Sequence, residues 1–141
     1  MTEKHPHLQA IENFFAAYAA KDVARVREIL APDVTWFIPG HHPLAGTKRG
    51  VEEVLAFFDQ IAKAGFQAQP LATAVVGDYV IDHHRGWSEV GPGLDILWAL
   101  AFRFQNGRIQ DVVNMSSDQH KADLFFWSVY HLKPIPERLA D

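Results

Sequence analysis

The feature that most constrains this chain is a change of hydrophobic period at Gly65. Before it, apolar residues recur at helical spacing. Ile11, Phe14, Phe15 and Tyr18 form one stripe; Val51, Val54, Leu55, Phe58, Ile61 and Ala62 form another. Such stripes mark the core-facing side of a helix. After Gly65 the apolar residues alternate, and the runs are cut by Gly77-Asp78, Gly91-Pro92-Gly93 and Asn106-Gly107. Asn-Gly between alternating runs is a strong hairpin signal. Strands are therefore predicted over 67–76, 79–90, 94–105 and 108–116, with Pro70 placing the first at an edge or a bulge. Helices followed by antiparallel strands give an α+β fold class.

Shorter elements fill the first half. The first helix runs out at Lys21-Asp22, and a second over Val23 to Leu30 buries Val26, Ile29 and Leu30 until Pro32 ends it. Val34 to Ile38 reads as a strand cut off by Pro39-Gly40. A loop, His41 to Gly46, leads through Thr47-Lys48-Arg49 to Gly50, which can cap the third helix above Glu52 and Glu53. Gly65 closes that helix. A Ser116-x-x-Gln119 capping box opens the last one, which carries Ala122, Phe125, Phe126 and Tyr130 and ends before Pro134 and Pro136.

The 141 residues read as a single domain, 1–141, without repeats or linkers. A net charge of −4 with no run of Lys or Arg argues against nucleic acid, whose phosphates need a basic patch. The chain has no cysteine, which excludes disulfides and thiolate chemistry. No segment reaches the roughly 18 apolar residues of a spanning helix, and Met1 to Pro6 has no apolar stretch of signal-peptide type. No membrane association and a cytoplasmic location are the expectations. No His-x-x-x-His falls on a helix, so no metal or other cofactor is expected.

The order from Asp22 to Phe58, two helix ends, a strand stopped by Pro39-Gly40, a loop and a helix, resembles the opening of the nuclear transport factor 2-like superfamily. The likeness is to its SnoaL-like and ketosteroid-isomerase-like branches and extends over roughly Ile11 to Tyr130. It implies a curved antiparallel or mixed sheet packed on three to four helices, forming a cone with an internal pocket. It also allows the strands to be phased, because side chains alternate between faces. With Trp36 and Ile38 inside, the inner set by analogy is His83, Arg85 and Trp87; Ile96, Trp98, Leu100 and Phe102; and Val112, Asn114 and Ser116. A slip of one residue in the strand over 79–90 would exchange His83 for His84 or Asp82.

Ketosteroid isomerase works with an Asp base and with a Tyr and a protonated Asp for the oxyanion. The matching positions here hold Ile38, Phe14 and Leu100, so that proton shuttle is excluded. A weaker positional likeness to limonene epoxide hydrolase places His83, Arg85 and Asn114 where that enzyme has an Arg-x-Asp and a second Asp. Neither carboxylate is kept. A histidine can serve as the base, because imidazole ordinarily titrates near neutrality. The catalytic candidates are thus His83, Arg85 and Asn114. The ligand-binding candidates are Trp36, Ile38, Trp87, Trp98, Leu100 and Phe102 on the wall, with His41 and His42 at the mouth.

The resemblance implies a small-molecule pocket protein: an acid–base isomerase, cyclase or hydrolase for an apolar or aromatic oxygenated substrate. A non-catalytic binding module with the same pocket stays open beside it. The outer sheet face carries Leu97, Ala99, Ala101, Val113 and Met115 at its centre and charges at its rim. A one-sided antiparallel sheet should be polar there, so a homodimer through this face is expected.

Overall fold

The computed structural model describes residues 4–130. Its elements are α1 (Pro6–Ala19), α2 (Val23–Ile29), β1 (Leu30–Ile38), β2 (Gly46–Arg49), α3 (Gly50–Ala62), β3 (Gln67–Val76), β4 (Tyr79–Ser88), β5 (Leu94–Gln105), β6 (Arg108–Ser116) and α4 (Gln119–Val129). The six strands form one curved, unclosed sheet in the order β2-β1-β6-β5-β4-β3. Only β1 and β6 run parallel; every other neighbouring pair is antiparallel. The α+β class with a mixed sheet is as the sequence implies.

The helices cover one face of this sheet. Ile11, Phe14 and Ala17 of α1, Val54 and Phe57 of α3, and Phe125 and Phe126 of α4 are buried against it. From the sheet come Val34, Trp36, Ile38, Trp98, Leu100, Phe102 and Val112. Each large side chain taken out of water here contributes about 1.5–3 kcal/mol, which makes this layer the main source of stability. Among the described residues no helix is long and apolar enough to cross a membrane.

Several boundaries differ from the expectation. Helix α2 ends at Ile29, one residue early, and β1 begins at Leu30, so Pro32 lies inside the strand. It is tolerated there because the β1–β6 register is irregular between Leu30 and Thr35, which removes the ladder bond a proline cannot donate. Residues 46–49 are the short edge strand β2 rather than loop. The N-cap of α4 is Asp118, whose carboxylate accepts from the Lys121 amide. Ser116 instead donates its hydroxyl to the Gln119 side chain. Strand β3 is an edge strand, and its pairing with β4 shifts between Pro70 and Ala72, where the proline was expected to act.

Candidate functional site

A cavity of about 840 Å³ lies between the covered face of the sheet and α1, α2 and α3. That is within the usual range for a small-molecule site. Trp36 and Ile38 of β1, Trp98 and Leu100 of β5 and Asn114 of β6 form its floor, as phased from the sequence. Phe14, Tyr18, Phe58, Phe66 and Phe126 close it from the helices and from the segment before β3. The Trp36 ring meets Phe58 and Phe102 edge to face, at 5.0 and 6.0 Å between centroids. Its Nε1–H is buried with no acceptor among the described residues. The rim carries Lys21, Asp22, Asp59 and Gln67. Burial, and then the charge of Asp59, push the Tyr18 phenol above its usual range.

Strand β4 corrects the phasing. Its pairing with β5 is free of bulges from Tyr79↔Arg103 to Ser88↔Leu94. Even numbers therefore oppose even numbers, and the residues on the cavity side with Trp98 and Leu100 are Asp82, His84 and Gly86. His84 lines the cavity, and His83, Arg85 and Trp87 do not. Two residues apart on one strand, Asp82 and His84 share a face. The His84 Nδ1 lies 2.7 Å from an Asp82 carboxylate oxygen, and Asp82 is 7% exposed. A carboxylate only accepts, so Nδ1 carries the proton and Nε2 is the nitrogen left as an acceptor. Nε2 has no partner among the described residues.

Asn114 also faces the cavity, and its side-chain amide has no partner among the described residues. In register, Leu100 stands between Asp82 on one side and Asn114 on the other. Two strand steps therefore separate β4 from β6, roughly 10 Å between backbones. A ring-sized molecule over Trp98 and Leu100 would have the imidazole on one flank and the amide on the other.

The displaced candidates have other work. The His83 Nδ1 donates to the Trp98 carbonyl at 2.9 Å. Arg85 makes two bonds to the Asp95 carboxylate, at 2.8 and 2.6 Å, and stacks over Trp87 at 4.3 Å. Its partnership with Asp95 raises the guanidinium pKa further and lowers that of the carboxylate. Arg85, Trp87 and Asp95 border a shallower depression of about 660 Å³ towards α4.

Phe102 is fully buried behind the lining, in contact with Phe14, Phe15 and Trp36. Neither His41 nor His42 lines the cavity. His42 is a pin for its own loop. Nδ1 accepts from the Leu44 amide, the other nitrogen lies 3.0 Å from the Pro39 carbonyl, and the ring stacks on Phe126. Burial holds its pKa below the usual imidazole value. The backbone of His41 is held by α4, its amide donating to Asp123 and its carbonyl accepting from the Trp127 indole. Among the described residues no three His, Asp or Glu side chains gather as a metal site would require.

Comparison with known proteins agrees with this fold. Residues 11–112 match the family model of the SnoaL-like domain. The uncharacterized protein Rv0034 of Mycobacterium tuberculosis is 30% identical over 124 residues, covering 84% of this chain and 95% of its own length. Among solved structures, Bal32a from a soil-derived mobile gene cassette is 28% identical with a TM-score of 0.79, covering 86% of this chain and 96% of that one. A putative polyketide cyclase from Sinorhizobium meliloti is similar in fold, with a TM-score of 0.66 at 23% identity over 76% of this chain and 94% of its own.

Proposed function

The chain belongs to the SnoaL-like domain family, and on that premise we propose that it is a small-molecule enzyme working by acid–base chemistry in its cavity. The observation that carries this reading is the 2.7 Å contact between buried Asp82 and His84, which lines the cavity. A proton transfer at carbon next to a carbonyl suits the arrangement. Nε2 of His84 takes the proton from carbon, and the resulting imidazolium stays beside the Asp82 carboxylate. The electron pair moves onto the carbonyl oxygen, which accepts a hydrogen bond from the Asn114 amide. Nε2–H then returns the proton to a second atom of the same molecule, which isomerises it, or the enolate carbon attacks a second carbonyl to close a ring and Nε2–H protonates the alkoxide that forms. The aromatic walls would exclude water, strengthening both hydrogen bonds.

A direct test uses 5-nitrobenzisoxazole, a flat carbon acid that opens to a coloured nitrile-phenolate when a base removes its ring proton. The wild-type protein should accelerate opening over buffer. His84→Ala should lower the rate by about 10²-fold or more, the usual contribution of a placed base. Asp82→Asn should lower it by a smaller factor, and His83→Ala should leave it unchanged. A wild type no faster than buffer, or a His84→Ala variant as fast as wild type, would sink the reading. The non-catalytic alternative rests on the apolar wall alone, which can hold a ligand without chemistry, and it gives binding with no acceleration. We also infer that the working unit is a homodimer joined through the outer face of the sheet.

A further inference from the structure

Gly86 has no conformational reason to be glycine. It lies inside β4, where the backbone φ is not positive. Glycine weakens a strand interior, and one found there often marks a close approach by something else. That something is Trp98. A side-chain carbon built at position 86 would stand 2.7 Å from both Cδ1 and Nε1 of the Trp98 indole, closer than atoms can pack. The same point is 3.7 Å from Cδ2 of His84. The missing side chain thus lets the Cδ1–Nε1 edge of the indole come over β4, beside the imidazole, where its N–H donates to the Gly86 carbonyl at 3.4 Å. Phe66, in the segment before β3, meets the indole at 81° with 5.8 Å between centroids. Trp98 is 8% exposed, lines the cavity and pairs with His84 in register.

We propose that Gly86 and Trp98 form a flat shelf beside His84 that selects planar ring systems over puckered ones of equal size. The proposal rests on the reading of the cavity as a small-molecule site and deepens it to a ligand class. It does not depend on the chemistry of His84. A planar ring laid against the indole gains offset stacking as well as burial, whereas a puckered ring gains burial alone. Leu100 and Asn114 lie next along the floor, so a stacked ring carrying an oxygen would reach the amide.

The probes are 2-naphthol and decahydro-2-naphthol, which share a skeleton and a hydroxyl and differ in planarity. Calorimetric titration should show the wild-type protein binding 2-naphthol about three- to tenfold more tightly, the increment aromatic stacking supplies. Trp98→Leu, checked by its melting curve, should bring the ratio close to one. Gly86→Ala should weaken 2-naphthol selectively, because its methyl group lifts the indole. Equal affinities in wild type, no binding of either probe, or a ratio kept in Trp98→Leu would each overturn the shelf. Loss of the ratio alongside intact 5-nitrobenzisoxazole turnover would remove the shelf and leave the acid–base reading standing. The reverse result would do the opposite.

Discussion

Two adjacent histidines, His83 and His84, show how one residue of phase decides a site. The turn predicted between Val90 and Leu94 already opposes even numbers to even numbers. Continued along an ungapped hairpin, that parity sets His84 beside Trp98 and leaves His83 outside. Phasing by resemblance put His83, Arg85 and Trp87 inward instead, against the parity of their own hairpin. Trp36, Ile38, Trp98, Leu100 and Asn114 were placed inside by the phasing that the family resemblance implies, and they line the cavity. Asp82 was hidden for another reason: a buried carboxylate looks like a surface residue until its partner is placed. His42 carries a consequence of its own. Its Nδ1 accepts a bond from Leu44 and its ring is buried, so charging it in the folded protein is unfavourable. Its folded pKa is therefore below the unfolded value near 6.5, and the unfolded chain binds the proton first. The contribution of neutral His42 to stability is complete above about pH 7 and falls as the pH drops through 6.5 towards the lowered value. Urea midpoints between pH 7.5 and pH 5.5 should fall more steeply in wild type than in His42→Asn, which keeps an acceptor for Leu44 but does not titrate. Proton NMR should show the His42 ring titrating below a free imidazole. A midpoint at or above the free value would refute it.

At the scale of elements, the helices and long strands followed from period and turns, while the joints between them did not. Pro32 was read as a helix stop. It is instead accommodated in a strand, because a parallel partner far along the chain leaves an irregularity for it. Ser116 was read as a cap, but the neighbouring Asp118 takes that role. Both outcomes turn on contacts between distant segments, which a local motif does not contain. The joint of α4 with the end of β1 is the sharpest case. Gly40 has φ +113, and a side-chain carbon there would fall 2.2 Å from the Asp123 carboxylate and 2.3 Å from the Gln119 amide. These two side chains bond each other at 2.8 Å, and they hold the Pro39 carbonyl and the His41 amide at 3.1 and 3.2 Å. Gly40→Ala should therefore strain the backbone and split this latch. The expected loss is about 2–4 kcal/mol in chemical denaturation, combining an unfavourable φ with broken partly buried bonds. Asp123→Ala, which breaks the latch without the strain, should cost less. A Gly40→Ala protein as stable as wild type would show that the loop is not held in this way.

For the molecule as a whole, one face of the sheet is accounted for by the helices and cavity, and among the described residues the other is left partly exposed at its centre. Phe37, Leu97, Val113 and Met115 on that outer face are 38–44% exposed. They are contiguous: Phe37 opposes Val113, Val113 opposes Ala101, and Met115 opposes Ala99. The charges beside them are already paired, Arg103 with Asp111 and Arg85 with Asp95. A second copy would therefore meet little like-charge repulsion. Six strands at about 4.8 Å spacing and nine or so residues at about 3.3 Å give a face of roughly 700 Å². That is close to the roughly 800 Å² per partner of a stable association. Sedimentation of the wild-type protein should give twice the chain mass. The double variant Leu97→Lys and Val113→Lys should sediment as a folded monomer, because two desolvated ammonium groups per copy cannot be buried against themselves. Neither residue touches the cavity, so opening of 5-nitrobenzisoxazole should survive in that monomer. A wild type that sediments at the mass of one chain at micromolar concentration would remove the dimer. A charged double variant that stays dimeric would move the interface off this face.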